Sequence, residues 1–309
     1  MVCGSAFFLY NHYGTFGPFH SPSAAQTGTS PSLRWPGTVC PVALGRPCAR
    51  ISPQGNRRET PLTRSSEGLT PNYDPAAKLA ESTCITVFCD FDGTYSVQDV
   101  GSSIARKYLG ERRTELWDRY EQGIVDAWEY NVELFTGFKL PPADLHAFLE
   151  TIDLDPGARE LQAWCADNNA SFRILSDGFD YNLDWLQRHN GVTFDYMCNH
   201  LEYTGVAADE WQIAPGGRNA SCDCGTGTCK SQIIRAQSKQ RPGAFTVHIG
   251  NGRVSDLCGA IEADLAFAKD TLAPALQERK QPFEPFETLV DVVDQLSALV
   301  SEAQALRAG

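Results

Sequence analysis

Ile85-Thr86-Val87-Phe88-Cys89-Asp90-Phe91-Asp92-Gly93-Thr94 is the run of sequence from which we interpret the rest of the chain. Its first five residues are apolar or β-branched and predict a short strand that is buried on both faces. Asp90 and Asp92 follow where that strand should end, and Gly93 favours a turn. Ligands of open α/β sheets bind outside the carboxyl ends of strands, and alternation along a strand would turn both carboxylates toward one cation or one phosphate. A solvated turn with helix-capping acids is the alternative that this run alone leaves open.

The segment that follows changes to a helical spacing of its apolar side chains, from about residue 99 to residue 152. It predicts about four short helices, which we interpret as a small all-helical cap at residues 98–152, inserted after the first strand. The insert would either form only a small core of its own or also serve as a lid that excludes water from the site.

Strands and helices alternate again from Pro156 onward and predict an α/β fold, in which a mostly parallel sheet is flanked by helices. The predicted strands are residues 172–175, 245–249 and 265–269, with an antiparallel pair formed by residues 196–203 and 211–213. An amphipathic helix over residues 289–303 closes the chain. The core domain would therefore comprise residues 81–97 and 153–309.

The N-terminal segment differs in composition from the rest of the chain. Its first 58 residues contain no Asp, Glu or Lys but five Arg, so they carry +5, and the remaining residues carry −17 of the net −12. We predict that residues 1–80 are an unstructured leader. An acid-free segment that bears Arg and Ser is typical of an organelle transit peptide, and a disordered extension is the alternative.

The charge and hydropathy of the chain exclude several classes of partner. A strongly acidic core argues against a nucleic-acid binder, because phosphate backbones require a basic face. We find no run of about 18 apolar residues, so we expect no membrane span. A small phosphate ester needs only a locally positive pocket and remains a suitable partner. The 11 cysteines are not spaced like a disulfide scaffold, which favours the cytoplasm, with a plastid or mitochondrion as the alternative if the leader is a transit peptide. Oligomeric state is not predicted.

Polar residues also stand at the ends of two later predicted strands. Ser176-Asp177-Gly178 follows one of them and precedes a helix, where a hydroxyl and backbone N–H groups would bind an anion. Gly250-Asn251-Gly252 follows another, and Asp256 then begins a helix. Lys230 begins a further helix, where the helix dipole disfavours a cation unless it faces an anion. His248 lies within a predicted strand and is expected to be a satisfied core histidine.

Three cysteines in eight residues, Cys222, Cys224 and Cys229, are typical of a zinc knuckle in which Cys198 or His200 would be the fourth ligand. The spacing does not match a paired CxxC framework. A glycine-turned loop with free thiols is the alternative.

Together these motifs resemble the haloacid dehalogenase superfamily of aspartate-nucleophile phosphatases, over about residues 84 to 300. The resemblance is carried by Asp90-x-Asp92-Gly93-Thr94, Ser176, Lys230 and Gly250-Asn251-Gly252…Asp256, in the order of the family. It implies a Rossmann-like core and a cap of the phosphoserine phosphatase type.

The chemistry that this resemblance implies is phosphoester hydrolysis through an aspartyl phosphate. Asp90 would attack phosphorus, and Asp92 would protonate the leaving alkoxide and then deprotonate water. The implied cofactor is Mg²⁺, and its implied ligands are Asp90, Asp92, Asn251 and Asp256.

The same resemblance implies how the phosphate and the substrate are held. Ser176, the backbone N–H of Asp177, and Lys230 would bind the phosphate oxygens. Further implied contacts are Thr94, Gly178 and Asp99. Asp99 would either meet a substrate amino group, as in phosphoserine phosphatases, or cap the first helix of the insert.

Asn251 departs from the family, which usually carries an acid at this position. An amide oxygen still ligates Mg²⁺, but one negative charge is lost and we expect weaker metal binding. We expect activity to be retained, and a phosphometabolite-binding protein without turnover is the alternative.

Three segments resemble the methionine-salvage branch of the superfamily, the 2-hydroxy-3-keto-5-methylthiopentenyl-1-phosphate phosphatases. They are Cys222-x-Cys224-Gly225…Cys229-Lys230, residues 263–269 and residues 282–288. That ester is therefore one expected substrate, and phosphoserine is the other.

Overall fold

The computed structural model of the protein describes residues 73–205 and 210–309. Its strands within these residues are β1 Cys84–Cys89, β2 Ser171–Phe179, β3 Asp195–Tyr203, β4 Trp211–Ala214, β5 Ala244–Gly250, β6 Leu265–Ala268 and β7 Glu284–Pro285. The helices are α1 Pro75–Glu81, α2 Val100–Tyr108, α3 Gly110–Glu121, α4 Ala127–Phe135, α5 Pro142–Leu149, α6 Ala158–Asp167, α7 Asp180–Asn190, α8 Lys230–Gln240, α9 Leu257–Glu262, α10 Leu272–Glu278 and α11 Leu289–Ala308. In the described part of the chain, no helix has both the length and the apolar character that a membrane span requires.

The strands form one seven-stranded sheet in the order β4-β3-β2-β1-β5-β6-β7. Only β4 runs antiparallel to its neighbour, and helices flank the sheet, so the predicted α/β fold class is confirmed. Strand β1 lies between β2 and β5. The carboxyl ends of these three parallel strands therefore lie side by side, and the site residues follow them.

Strand β1 is central because its side chains are apolar on both faces, as its sequence predicts. Val87, Phe88 and Cys89 are at most 1% exposed. The polar member of the strand, Thr86, is also buried and accepts a hydrogen bond of 3.0 Å from the hydroxyl of Ser171 on β2. The strand that carries the acids at its end is thus fixed by neighbours on either side.

Helices α2 to α5 lie in sequence between β1 and α6, where about four helices are predicted. The two chain segments that lead into and out of them are paired: Ser96 and Leu154 form an antiparallel bridge, and the N–H of Val97 donates to the carbonyl of Asp153 over 2.9 Å. The insert thus begins and ends at a short two-stranded base, and it also contacts β4, where Lys139 and Glu210 form a bridge and Trp211 Nε1 donates to the carbonyl of Leu140 over 2.8 Å.

The predicted leader lies outside the described residues up to residue 72. Its last part includes most of α1, which is folded against the core. Asp74 caps this helix by accepting a hydrogen bond of 3.0 Å from the N–H of Ala77, and Leu79 is 2% exposed. Arg307 of α11 donates to the carbonyl oxygens of Leu79 and Ser82 over 2.8 and 2.7 Å.

Strand β2 is longer than predicted. The sequence predicts that the strand ends before Ser176, but residues 176–178 lie within β2, and the pairing register with β3 shifts between Leu175 and Phe179. The irregularity explains the difference, because a bulge lets the strand continue while it turns the Ser-Asp-Gly segment out of the regular ladder.

Gly157 marks a close approach between the turn before α6 and the start of α11. Its N–H and that of Leu289 both donate to Asp155 Oδ1 over 2.9 Å. A Cβ at position 157 would lie 2.2 Å from the backbone nitrogen of Val290.

We therefore expect Gly157→Ala to lower the free energy of unfolding by about 3 kcal/mol, because the clash is with backbone that cannot rotate away. Urea denaturation measures the change. Gly217→Ala is the matched control, since a Cβ there meets no atom within 4 Å. Equal stabilities for the two variants would contradict this account of the α6–α11 junction.

Candidate active site

A cavity of about 730 Å³ opens at the carboxyl ends of β1, β2 and β5. Helices α2, α3 and α4 form its opposite wall. The predicted site residues that line it are Asp90, Asp92, Asp99, Asp177, Gly178 and Asn251. The structure thus brings together residues that are separated by up to 161 positions in the chain.

Lys230 lies beneath this cavity and joins two carboxylates. Its side chain is fully buried, and its ammonium nitrogen contacts Asp90 Oδ1 and lies 2.5 Å from Asp256 Oδ1. Although burial opposes the charged form, Asp256 and Asp90 hold the pKa of Lys230 above its usual range. Lys230 is therefore a permanent cation that bridges the end of β1 to the start of α9.

The two carboxylates respond differently to the same cation. Burial, together with the charge of Asp256, raises the pKa of Asp90 well above its usual range despite the opposing effect of Lys230. For Asp256 burial also favours the neutral form, but Lys230 and a hydrogen bond from His248 hold its pKa below its usual range. Asp256 is thus stabilised as a carboxylate by Lys230 and His248, whereas burial and the charge of Asp256 disfavour ionisation of Asp90.

Asp256 is fixed by donors on every side. Its Oδ2 accepts hydrogen bonds from the N–H groups of Gly252 at 2.9 Å and Asn251 at 3.2 Å. Its Oδ1 lies 3.0 Å from His248 Nε2. Burial lowers the pKa of His248, so this imidazole is neutral and donates its Nε2 proton to a carboxylate that can only accept. His248 therefore lies in the core as expected and supports Asp256, but it is only partly satisfied, because its Nδ1 has no hydrogen-bond partner among the described residues.

Asp92 lies in a different environment from Asp90. Its Oδ1 accepts a hydrogen bond of 2.8 Å from the N–H of Val100 at the start of α2, and its Oδ2 accepts one of 3.2 Å from the hydroxyl of Ser176. Burial, with the charge of Asp99, raises the pKa of Asp92 to about 7. A carboxyl that titrates near neutral pH can both donate and accept a proton, which is the requirement for general acid–base work.

The segment Ser176-Asp177-Gly178 is held in the bulge of β2 by its own hydrogen bonds. The N–H of Gly178 donates to Ser176 Oγ over 2.8 Å. Asp177 Oδ1 accepts from the amide of Asn199 at 2.9 Å and from the N–H of Thr228 at 3.0 Å. Burial raises the pKa of Asp177 to about 6. Through Thr228, this contact links β2 to the loop that precedes Lys230.

Asn251 lies against the turn that follows β1. Gly93 in that turn has a φ of 75°, and a Cβ there would lie 2.4 Å from Asn251 Nδ2. The same amide nitrogen lies 3.4 Å from Asp270 Oδ2. A glycine is therefore needed at position 93 for both its backbone conformation and the approach of the amide.

Sequence reasoning missed Asp270 and Asn199. Asp270 lines the cavity beside Asn251 and follows strand β6, so its position after a strand was the available signal. Asn199 is fully buried within β3, and its Oδ1 accepts from the N–H of Gly216 and the hydroxyl of Thr228. No sequence signal distinguishes it from an ordinary strand residue.

Thr94 and Asp99, which are predicted to contact the substrate, also have structural environments of their own. Thr94 is fully buried, does not line the cavity, and its hydroxyl has no hydrogen-bond partner among the described residues. Asp99 caps α2 by accepting from the N–H and hydroxyl of Ser102, and it also lines the cavity. The helix-cap interpretation of Asp99 is therefore correct, and its position on the cavity wall is compatible with the other interpretation.

The prediction that Cys198 or His200 is the fourth ligand of the cysteine loop is wrong. His200 Nδ1 lies 2.6 Å from Asp180 Oδ2, and Cys198 Sγ donates to the carbonyl of Asn199. The residue that joins Cys222, Cys224 and Cys229 is Cys258. It belongs to α9 and lies 29 positions beyond Cys229, outside the local spacing from which a zinc knuckle is predicted.

Three aromatic side chains lie together in the wall opposite the strand ends. Trp117 and Tyr120 of α3 and Tyr130 of α4 line the cavity and contact one another with ring centroids 5.4 to 6.0 Å apart. At the mouth, Arg253 Nη2 donates to Glu121 Oε1 over 2.9 Å, which joins the loop after β5 to the end of α3. The cavity thus has carboxylates at the strand ends and a cluster of aromatic side chains on the opposite wall.

No family sequence model matches the chain. Among curated proteins, it is similar to the 2-hydroxy-3-keto-5-methylthiopentenyl-1-phosphate phosphatase of Bacillus mycoides, with 31% identity over 222 residues that cover 70% of this chain and 97% of that protein. The protein of the same name from Bacillus cereus is 30% identical over a stretch of the same length and coverage.

Among solved structures, the chain is similar to a phospho-aspartyl intermediate analogue of phosphoserine phosphatase, with a TM-score of 0.54, 18% identity, and coverage of 69% of this chain and 98% of that one. A probable phosphoserine phosphatase from Vibrio cholerae has a TM-score of 0.56 and 23% identity and covers 75% of this chain and 68% of its own. Because the two structures are only 18% and 23% identical to this chain, they show a similarity of fold alone.

The buried Lys230 makes a testable contribution to stability. Lys230 and His248 hold the pKa of Asp256 in the folded protein below its value in the unfolded chain. Ionised Asp256 therefore adds to the free energy of unfolding above about pH 4, and this contribution is lost as the pH falls through the folded pKa. Lys230→Met removes the cation and leaves two buried carboxylates. Burial already raises the folded pKa of Asp90 and would then raise that of Asp256 as well, so the contribution of Asp256 changes sign and ionisation of either group destabilises the fold.

In chelator-treated buffer we expect Lys230→Met to lose about 3–5 kcal/mol at about pH 8, and the loss to shrink on acidification to about pH 5. Urea unfolding at the two pH values measures it. Lys239→Met, at an exposed position of the same helix, is the matched control. A loss that does not depend on pH would contradict the electrostatic interpretation.

Proposed function

Because this chain belongs to the haloacid dehalogenase superfamily of phosphatases, we propose that it hydrolyses a small phosphate monoester with Mg²⁺ through an aspartyl phosphate on Asp90. The observation that carries the proposal is the buried contact of Lys230 with both Asp90 and Asp256 at the floor of a cavity. This contact holds the carboxylate of Asp90 at the cavity next to a fixed cation. Without that cation, the carboxylate would repel a phosphate dianion more strongly.

The first half of the reaction transfers the phosphoryl group to the protein. An Asp90 oxygen forms a bond to phosphorus, and the bond from phosphorus to the substrate oxygen breaks. Asp92 donates its proton to the departing alkoxide, for which a pKa of about 7 is well matched. Lys230, Ser176 and the backbone of residue 177 hold the phosphate oxygens as negative charge develops on them.

The second half releases inorganic phosphate. Asp92, now ionised, takes a proton from water, and the hydroxide oxygen bonds to phosphorus as the bond to Asp90 breaks. Asp90 leaves as a carboxylate beside Lys230, and Asp92 is again protonated. The same side chain thus serves as acid and then as base, and the N–H of Val100, which donates to Asp92 Oδ1 over 2.8 Å, keeps it oriented.

The residues at the floor fit a hard divalent cation. Carboxylate, carbonyl and amide oxygens are the donors that Mg²⁺ prefers. The carboxylate of Asp90, the backbone carbonyl of Asp92 and the side-chain amide of Asn251 would supply them at the cavity. Both carboxylate oxygens of Asp256 already accept hydrogen bonds beneath it, so Asp256 would become a ligand only by giving up one of these bonds. The raised pKa of Asp90, caused first by burial and then by Asp256, indicates that Lys230 alone does not balance the local negative charge. When bound there, Mg²⁺ would supply positive charge that offsets repulsion between Asp90 and the phosphate.

The substrate we favour is an ester with an apolar substituent. The relatives at 30 and 31% identity are named for 2-hydroxy-3-keto-5-methylthiopentenyl-1-phosphate. Supporting this choice, Trp117, Tyr120 and Tyr130 offer an apolar wall of the size that a methylthio group would contact. We propose that α2 to α5 act as the cap that holds this wall over the site.

Phosphoserine is the second candidate. The observation in its favour is that Asp99 lines the cavity and would face a substrate ammonium. Against it, both carboxylate oxygens of Asp99 already accept hydrogen bonds from Ser102. A binding protein without turnover is a candidate of another class, motivated by the amide at position 251.

We expect the purified chain to release phosphate from an aryl phosphate, and faster from a methylthio-sugar phosphate than from phosphoserine. Asp90→Asn should lower the rate at least about a thousandfold, since an amide is a poor nucleophile, while the chain stays folded. Malachite-green phosphate assays measure the rate, and Asp118→Asn, exposed on α3, is the control. Thermal stabilisation by the esters without phosphate release from the unaltered chain would instead support the binding protein.

Chelation should abolish turnover, and added Mg²⁺ should restore it. Asn251→Asp should lower the half-saturating Mg²⁺ concentration by roughly tenfold, because it adds a negative charge and a better ligand. Gln277→Glu adds the same charge at an exposed position of α10 and should leave the metal dependence unchanged. An Asn251→Asp titration identical to that of the unaltered chain would remove Asn251 from the metal site.

A further inference from the structure

Four cysteines that the proposed phosphatase chemistry does not use lie together at one point of the fold. Cys222, Cys224 and Cys229 belong to the loop before α8, and Cys258 lies in the first turn of α9. Their four sulfur atoms all lie within 4.8 Å of one another. Cys229 is buried and the other three are half-buried.

This arrangement suits a single metal ion. Zn–S bonds of about 2.3 Å in a tetrahedron place the sulfur atoms about 3.8 Å apart, close to the spacing that the four side chains already have. A disulfide would use only two of the four. An iron–sulfur cluster needs cysteine sulfurs spaced around several iron and sulfide atoms, so four sulfurs this close favour one ion.

Donors around the sulfur atoms would stabilise the thiolates that a metal requires. The hydroxyl of Ser231, in the first turn of α8, lies 3.9 Å from Cys222 Sγ. The hydroxyl of Ser231 lies 3.3 Å from Cys229 Sγ. Both contacts come from the first turn of the 11-residue helix α8, so the positive end of this helix lies next to the cluster.

We propose that Cys222, Cys224, Cys229 and Cys258 bind one structural Zn²⁺ ion. With four protein ligands the ion has no open position, so it takes no part in chemistry. Zinc rather than a hard cation is indicated, because thiolates are soft ligands and Mg²⁺ prefers oxygen.

The ion would help to position Lys230 and Asp256 in the proposed active site. Cys229 directly precedes Lys230, and Cys258 is two residues beyond Asp256, so one ion would join the two chain segments whose side chains meet in the Lys230–Asp256 pair. The same loop contacts the helical insert. The N–H of Trp128 in α4 donates to the carbonyl of Gly225 over 2.8 Å, and Arg218 pairs with Asp126.

Metal analysis of the full chain tests this proposal independently of catalysis. Protein purified under reducing conditions and dialysed against metal-free buffer should contain about one zinc ion per chain, with a Kd below about 1 nM in competition with a chromophoric chelator. Cys224→Ser should lower the zinc content at least about tenfold and the thermal midpoint by about 5 °C or more. Cys84→Ser, a half-buried cysteine of β1, is the matched control and should keep its zinc.

Cobalt substitution of the unaltered chain provides a readout that does not depend on the folding of a variant. Co²⁺ should give the intense visible and charge-transfer absorption of a tetrahedral thiolate site. The proposal is overturned if the unaltered chain neither contains nor takes up Zn²⁺ or Co²⁺, if iron occupies the site instead, if thiol titration finds a disulfide among these cysteines, or if Cys224→Ser retains its full zinc content.

Discussion

The contact of one buried ammonium with two buried carboxylates is the constraint on which the rest of the site depends. Lys230 begins α8, Asp90 directly follows β1, and Asp256 directly precedes α9, so three segments that are distant in sequence meet at a single charge. Burial of three ionised groups is tolerable only when they are paired and hydrogen-bonded. The donors that surround Asp256, from Gly252, Asn251 and His248, are the structural counterpart of that requirement.

Much of this arrangement could be predicted because it depends on local patterns. The buried run of β1 with its two acids, the Lys at a helix start, and the Gly-Asn-Gly turn before Asp256 each carry a physical reason for their position. Parallel strands then bring their carboxyl ends together without further information. The family and fold class followed from these residues and are confirmed by the relatives and by the sheet.

What could not be predicted depends on long-range geometry. Cys258 completes the cysteine cluster from a different helix, and no spacing in the sequence links it to Cys229. Asn199 supports Asp177 from the middle of a strand, where asparagine has no distinctive pattern. The continuation of β2 through Ser176 required a bulge, and bulges depend on pairing with the neighbouring strand rather than on the residues alone.

The contact between Arg253 and Glu121 at the cavity mouth has a further consequence. Both side chains are about half exposed, at 56% and 43%. An ion pair in such surroundings is screened by dissolved salt and contributes at most about 1 kcal/mol. Dissolved salt would therefore weaken this connection between the loop after β5 and α3, whereas it would leave the buried contacts of Lys230 almost unchanged.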